Sequence, residues 1–168
     1  MKFWIALFVV SAVVRAACVS DPGGTVGCPG FRALLTVEDR MSQTEQLFNP
    51  NEPITFEMLI TNALNEPATL TAGSSCTAVV FEITDSAGRR RWGNTDTIAC
   101  AQALQPRRYS PLENVTESAT WDQRDSDGVA VPPGTYTVNA SVGQSVSDTN
   151  GVVDCGADLG KSATFTIR

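Results

Sequence analysis

The sequence predicts an all-β fold, an immunoglobulin-like antiparallel β-sandwich of about seven or eight strands. Three observations lead there. Apolar residues recur with period two, turn-forming clusters separate the alternating runs, and each run keeps one polar face. That last feature is what an antiparallel sheet with a single solvated face requires.

Residues 1–17 stand outside that domain. Lys2 precedes the apolar run Phe3–Val14, which is too short to cross a bilayer comfortably, and the small residues Ala16 and Ala17 follow it. This is the pattern of a signal peptide. Cys18 comes next and supports two readings. It resembles the acylated cysteine of a bacterial lipoprotein box, although Arg15 departs from the aliphatic residue such boxes prefer. Ordinary signal-peptidase cleavage would instead leave Cys18 free or paired. Either way the chain is expected to be exported: secreted, periplasmic or envelope-anchored, with a membrane touched only through lipid at Cys18. Residues 18–30, rich in Gly, Pro and small polar residues, read as a flexible tether, and residues 31–168 as the domain.

Within the domain the strands follow in order. FRALLTVED offers Phe31, Ala33, Leu35 and Val37 on one face; PITFEMLITN offers Ile54, Phe56, Met58 and Ile60. PATLTA is a weaker candidate, and CTAVVFEIT follows with Val79, Phe81 and Ile83. RRRW and VTESATW are also weak. TYTVNASV presents Tyr136, Val138, Ala140 and Val142, and the closing SATFTIR presents Ala163, Phe165 and Ile167. The separators NPNEP, NEP, DSAG, DSDG and PPG are turn chemistry. Only TDTIACAQALQ, residues 95–105, reads as helical. Residues 143–161, dominated by Gly, Ser and Asp, are expected to loop out.

Five cysteines are an odd number for an exported chain. With Cys18 set aside, four allow three pairings. Cys76 and Cys100 flank strand-like runs in one section, and a bridge between them would be worth about 3.5 kcal/mol in chain entropy. Cys28 and Cys155 then pair by elimination, tying the N-terminal arm to a late loop.

Composition excludes much chemistry. The chain has no histidine, which removes the commonest general base and most zinc sites. Lys161 is the one lysine left once Lys2 is removed with the signal, and it lies in no catalytic motif. Loss of Lys2 and Arg15 takes the net charge from −6 two units lower, a balance that repels phosphate backbones. Nucleic acid is therefore not an expected partner. No enzyme, no cofactor and no metal site is expected.

The stretch 121–138, WDQRDSDGVAVPPGTYTV, is the one place where carboxylates crowd: Asp122, Asp125 and Asp127 precede Gly128. An EF-hand register puts Gln123 first and Gly134 twelfth, so the bidentate glutamate is missing. A glycosidase pair would want an aromatic-rimmed cleft, and aromatics are only 7% of the chain, the best of them at strand-core positions. The remaining reading is a corner of a β-sheet. Asp127-Gly128 turns tightly, Pro132 and Pro133 stiffen the return, and Gly134 can take a positive φ. Tyr136 enters the next strand ring inward, where its hydroxyl can bond backbone across the corner. Arg89, Arg90 and Arg91 read as a solvated hairpin end, and Trp92 and Trp121 as core aromatics.

Taken in order, VVFEITDSAGRRRW and then ATWDQRDSDGVAVPPGTYTV resemble the bacterial intracellular proteinase inhibitor family called BsuPI. The residues carrying the resemblance are Asp85, Gly88 and Trp92, then Trp121, Asp122, Asp127, Gly128, Pro132, Pro133, Gly134 and Tyr136. It covers roughly residues 31–142. The chain departs from the family in its export signal, its cysteines and the insertion at 143–161. The resemblance implies a non-catalytic binding module whose protein partner is a serine protease of subtilisin-like type. The segment QPRRYSP, with Arg107, Arg108 and Tyr109 between two prolines, is the candidate partner loop, against the plainer reading of an inter-strand crossover. The competing function is a cell-envelope interaction domain without inhibitory activity.

Overall fold

The computed structural model describes residues 28, 30–72, 78–101, 103, 105–142, 144–148 and 151–168. Residues 1–17, read as a signal peptide, together with Cys18, most of the segment read as a tether, and Cys76 lie outside them. The described chain is all-β, with strands β1 (Phe31–Glu38), β2 (Leu47–Phe48), β3 (Ile54–Asn62), β4 (Ala68–Ala72), β5 (Val79–Asp85) and β6 (Arg90–Gly93). There follow β7 (Gln105–Tyr109), β8 (Asn114–Trp121), β9 (Gly134–Val142), β10 (Gln144–Asp148), β11 (Gly151–Asp154) and β12 (Lys161–Ile167). One turn of helix, α1 (Gly156–Leu159), precedes β12.

All eight runs picked out by alternation are strands, weak candidates included. Alternation works because a strand whose inner face is buried needs an apolar side chain at every second position. On β3 the buried residues are Ile54, Phe56, Met58, Ile60 and Asn62, and on β9 they are Tyr136, Val138, Ala140 and Val142. Three sheets result, ordered β1-β3-β8, β2-β12-β9-β5-β6 and β11-β10-β4-β7. Every pairing is antiparallel except the short parallel contact of β2 with β12.

The core lies between the first two sheets. Phe56 of β3 meets Phe81 of β5 and Phe165 of β12, with ring centroids 6.2 and 5.8 Å apart. Trp121, at the end of β8, stacks edge-on to Tyr136 at 5.8 Å and to Phe165 at 6.1 Å. Trp121 is fully buried, and the smaller Trp92 contact reaches Phe56 at 6.5 Å from the rim. Both tryptophans are core aromatics, as expected. The third sheet adds Leu70 and Tyr109, the latter edge-on to Phe31 at 5.2 Å.

Three expectations are corrected. The described residues of 95–105 form no helix: a turn at 94–97 leads into an irregular stretch, and Gln105 opens β7. A β-branched and Thr-rich start gives a helix little help, and the residue before Pro106 is biased to extended backbone. The segment 143–161 is not a looped-out insertion, because β10 and β11 form a hairpin that pairs with β4, and α1 closes it. Its small polar residues hid strands that only a neighbouring edge could recruit. The tally of strands also exceeds the expected seven or eight, through β2, β7, β10 and β11.

Candidate functional site

The two halves of the family pattern meet at one corner. Each begins with the same turn. Asp85 Oδ1 accepts from the amides of Ala87 at 2.9 Å and Arg89 at 3.0 Å, while the Gly88 amide donates to the Asp85 carbonyl at 2.8 Å. Asp125 Oδ1 likewise accepts from Asp127 at 3.1 Å and Val129 at 2.9 Å, and the Gly128 amide donates to the Asp125 carbonyl at 2.9 Å. Gly88 and Gly128 sit at φ 75° and 79°, the left-handed region that such a turn imposes on its fourth residue. A third copy occurs at Asp39, whose Oδ1 accepts from Met41 at 2.7 Å and Gln43 at 2.9 Å. Its fourth position is Ser42, at φ 57°.

The carboxylate that caps the DSDG turn is therefore Asp125. Asp127 and Asp122 are exposed, and Asp122 accepts from the Arg124 amide at 3.2 Å and pairs with its guanidinium at 3.7 Å. Pro132 supplies the carbonyl that Tyr136 Oη reaches at 2.6 Å, the corner bond expected from the sequence. Pro133 ends the return and Gly134 opens β9 at φ 158°.

Arg89 and Arg90 are exposed at the β5–β6 hairpin end, as read from the sequence, and all three arginines make ion pairs there. Asp85, with its side chain only 9% exposed, accepts on Oδ2 from Arg89 Nε at 2.9 Å and from Arg91 Nη2 at 2.8 Å. Burial alone would push its carboxyl up, but the bonds from the Arg89 amide, the two guanidinium groups and the Ala87 amide outweigh it and hold the pKa at about 2. Arg90 donates to Glu82 at 2.9 Å and to Asp96 Oδ1. Burial pushes the Asp96 carboxyl up, and the bonds from Arg90, Ser126 and the Gly93 amide more than reverse this, so it too lies below the ordinary range.

The DSDG turn is seated on β6. The Ser126 amide donates to the Arg91 carbonyl at 2.9 Å, and Ser126 Oγ reaches Asp96 Oδ2 at 2.7 Å. Between the turn and β6 lies a shallow groove of 270 Å³, lined by Trp92, Asn94, Thr97, Asp122 and Arg124 among others. Opposite it, Gln123 is 2% exposed at φ 62° and bridges to the 49–52 turn, donating to the carbonyls of Asn49 and Glu52 and accepting from the Asn51 amide, all at 2.8 Å. Sequence reasoning passed over Asn94, Asp96 and Ser126, and weighed Gln123 only as an EF-hand position. Nothing in the chain's periodicity marks them, because each acts on a segment distant in sequence. The repeated Asp-Ser-x-Gly was the available signal.

The candidate partner loop is placed differently from the expectation. Gln105–Tyr109 is strand β7, paired with β4 in register from Ala68↔Tyr109 to Ala72↔Gln105. Tyr109 is fully buried and cannot contact a partner. Only Tyr109, the last residue of β7, turns inward, and the four before it are exposed. Arg107 and Arg108 remain exposed, and Arg107 is held by Glu117 at 2.9 Å. Of the cysteines, Cys28 and Cys155 are bonded, with Cα atoms 4.8 Å apart. Cys100 is also disulfide-bonded, and Cys76, its expected partner, lies outside the described residues. Among the described residues no cluster of acidic or cysteine side chains is grouped to hold a metal.

A family model described as intracellular proteinase inhibitor, BsuPI, matches residues 39–145. No curated protein matches the chain. Among solved structures, a β-glucosidase, EmGH1, from Erythrobacter marinus is 16% identical, with 82% of this chain and 15% of that one covered at a TM-score of 0.46. The alkylpurine DNA glycosylase AlkC of Pseudomonas fluorescens is 17% identical, over 83% of this chain and 30% of that one, at 0.46. The C-terminal domain of wzt is 10% identical, over 84% and 75% of the two chains, at 0.48. This chain thus spans less than a third of the length of the first two. With the family pattern matched from Asp39 through the second turn and into β10, the chain belongs to the BsuPI intracellular proteinase inhibitor family.

Proposed function

We propose that this chain is an exported, non-catalytic binding module that blocks a serine protease of subtilisin-like type through an exposed loop. The observation that supports the reading is membership of an inhibitor family across residues 39–145, with both turns of the family pattern built at one corner. A rigid scaffold of this kind suits inhibition, because a loop held in its bound shape loses little entropy on docking. The test is inhibition kinetics of the oxidised domain against subtilisin-like and trypsin-like proteases, with a gel of each reaction. Saturable, stoichiometric inhibition by an intact domain supports the reading. An intact domain that inhibits none of them rejects it.

The N-terminal Ala-Ala-Cys supports a second reading, an envelope-anchored interaction domain without inhibitory activity. A stable non-protease partner recovered from envelope extracts favours it. Loss of membrane partitioning in Cys18→Ser supports the anchor, and unchanged partitioning excludes it.

A further inference from the structure

The connection between β6 and β7, residues 94–104, is long for a compact domain, where loops of about 4–6 residues are usual. Its exposed part runs from Asp96 to Ala101, and Ile98 at its centre is 50% exposed. Single exposed apolar residues are ordinary and carry no argument alone. The other large exposed ones sit where the backbone is already engaged: Leu34 and Leu47 in strands, Met41, Leu112 and Val129 in tight turns. Ile98 has its amide engaged too, in the 94–97 turn, and differs in lying between two fixed residues, Asp96 and Cys100.

The first end is fixed by Asp96. Its Oδ1 accepts from Arg90, and its Oδ2 accepts from the Gly93 amide at 2.9 Å and Ser126 Oγ at 2.7 Å. The second end is fixed by Cys100, which is disulfide-bonded. Between them the Ile98 amide donates back to the Thr95 carbonyl at 3.1 Å, which sets the direction in which the segment leaves the turn. A protease cleft binds an extended segment by main-chain pairing and takes one side chain into its specificity pocket. Asp96 and Cys100 hold a stretch of five residues that presents one apolar side chain, Ile98, to such a pocket. The segment also lies inside the family match.

We infer that residues 96–101, DTIACA, are the segment that enters the protease cleft, with the Ile98 side chain filling a specificity pocket that takes apolar groups. This rests on the inhibitor reading above. It replaces QPRRYSP, whose residues 105–109 are committed to β7, as the contact loop.

The deciding experiment measures inhibition constants of the oxidised full chain against a subtilisin-like enzyme that cleaves after apolar residues and against trypsin. Ile98→Asp, Ile98→Lys and the pair Arg107→Ala with Arg108→Ala are compared with the wild type. Ile98→Asp is expected to weaken inhibition of the subtilisin-like enzyme at least a hundredfold, and Ile98→Lys to move inhibition to trypsin. The arginine pair should change it less than threefold, and melting curves should coincide for all variants, since Ile98 is half exposed. Wild-type inhibition that survives both Ile98 changes, or is lost only with the arginine pair, overturns this assignment and leaves the inhibitor reading standing. A wild type that inhibits neither enzyme overturns both.

Discussion

Ser126 and Asp96 join two turns that lie 30 residues apart: the serine hydroxyl donates to Asp96 Oδ2 at 2.7 Å. The bond couples the second half of the family pattern to the loop that follows the first. Ser126→Ala removes this bond and the longer one to the Arg91 carbonyl, at 3.2 Å. Asp96 keeps Arg90 and the Gly93 amide. The expected cost is about 1 kcal/mol, the net worth of a hydrogen bond of this kind, read as a lower urea midpoint at unchanged slope. Faster amide exchange at Gly93 would accompany it if Asp96 loosens.

Asp85 makes stability depend on pH. Its folded pKa, about 2, lies below the ordinary carboxylate value, so the folded state binds the proton less readily than the unfolded chain does. The stabilisation is complete above the unfolded pKa near 4 and is lost as pH falls toward 2. Urea midpoints of the wild type and Asp85→Asn should therefore differ at pH 7 and converge between about pH 4 and pH 2. A difference that persists unchanged at pH 2 would show that the charge is not the source.

The three Asp turns do not share one residue at their left-handed fourth position, and this gives opposite predictions for changes there. A Cβ added at Gly88 or Gly128 meets nothing within 4 Å, so the cost of alanine there is backbone strain alone, about 1 kcal/mol. Ser42 already bears that strain at φ 57°. Ser42→Gly relieves it and is expected to raise the thermal midpoint or leave it level, while Gly88→Ala and Gly128→Ala lower it.

The Cys28–Cys155 bridge spans 127 residues of sequence. On the chain-entropy estimate, losing so long a closure costs about 5 kcal/mol. The Cys28→Ser, Cys155→Ser double variant should show that loss as a lower urea midpoint relative to the oxidised wild type. The bridge also holds Cys28 where its amide donates to Asp158 Oδ2 at 2.7 Å, so β1 is expected to fray first in the variant by hydrogen exchange.

Much of the fold was legible because it follows from period two. Ile54, Phe56, Met58 and Ile60 could be assigned to one buried face before any neighbour was known. The corner at Pro132–Tyr136 was legible for a second reason: proline and glycine restrict or free the backbone locally, so the turn is written where it occurs. β7 and β10 were not legible. QPRRY and QSVSD carry no apolar alternation, and they are strands because β4 offers each of them an edge.

The sequence by itself determined the all-β class, the buried faces, the turns at Asp85 and Asp125 and the family. The class, the faces and the turns depend on residues close together in the chain, and the family on the order in which such stretches follow one another. The tertiary structure alone decided that Tyr109 is buried, that Arg89 and Arg91 are tied to Asp85 and that Ser126 reaches Asp96. The first and last are set by how strands from distant segments are paired and stacked, and the Asp85 pairs by how the β5–β6 hairpin folds its arginines back. A hydrogen bond or a specificity loop is a matter of atoms a few ångströms apart in space, and no local pattern encodes that distance.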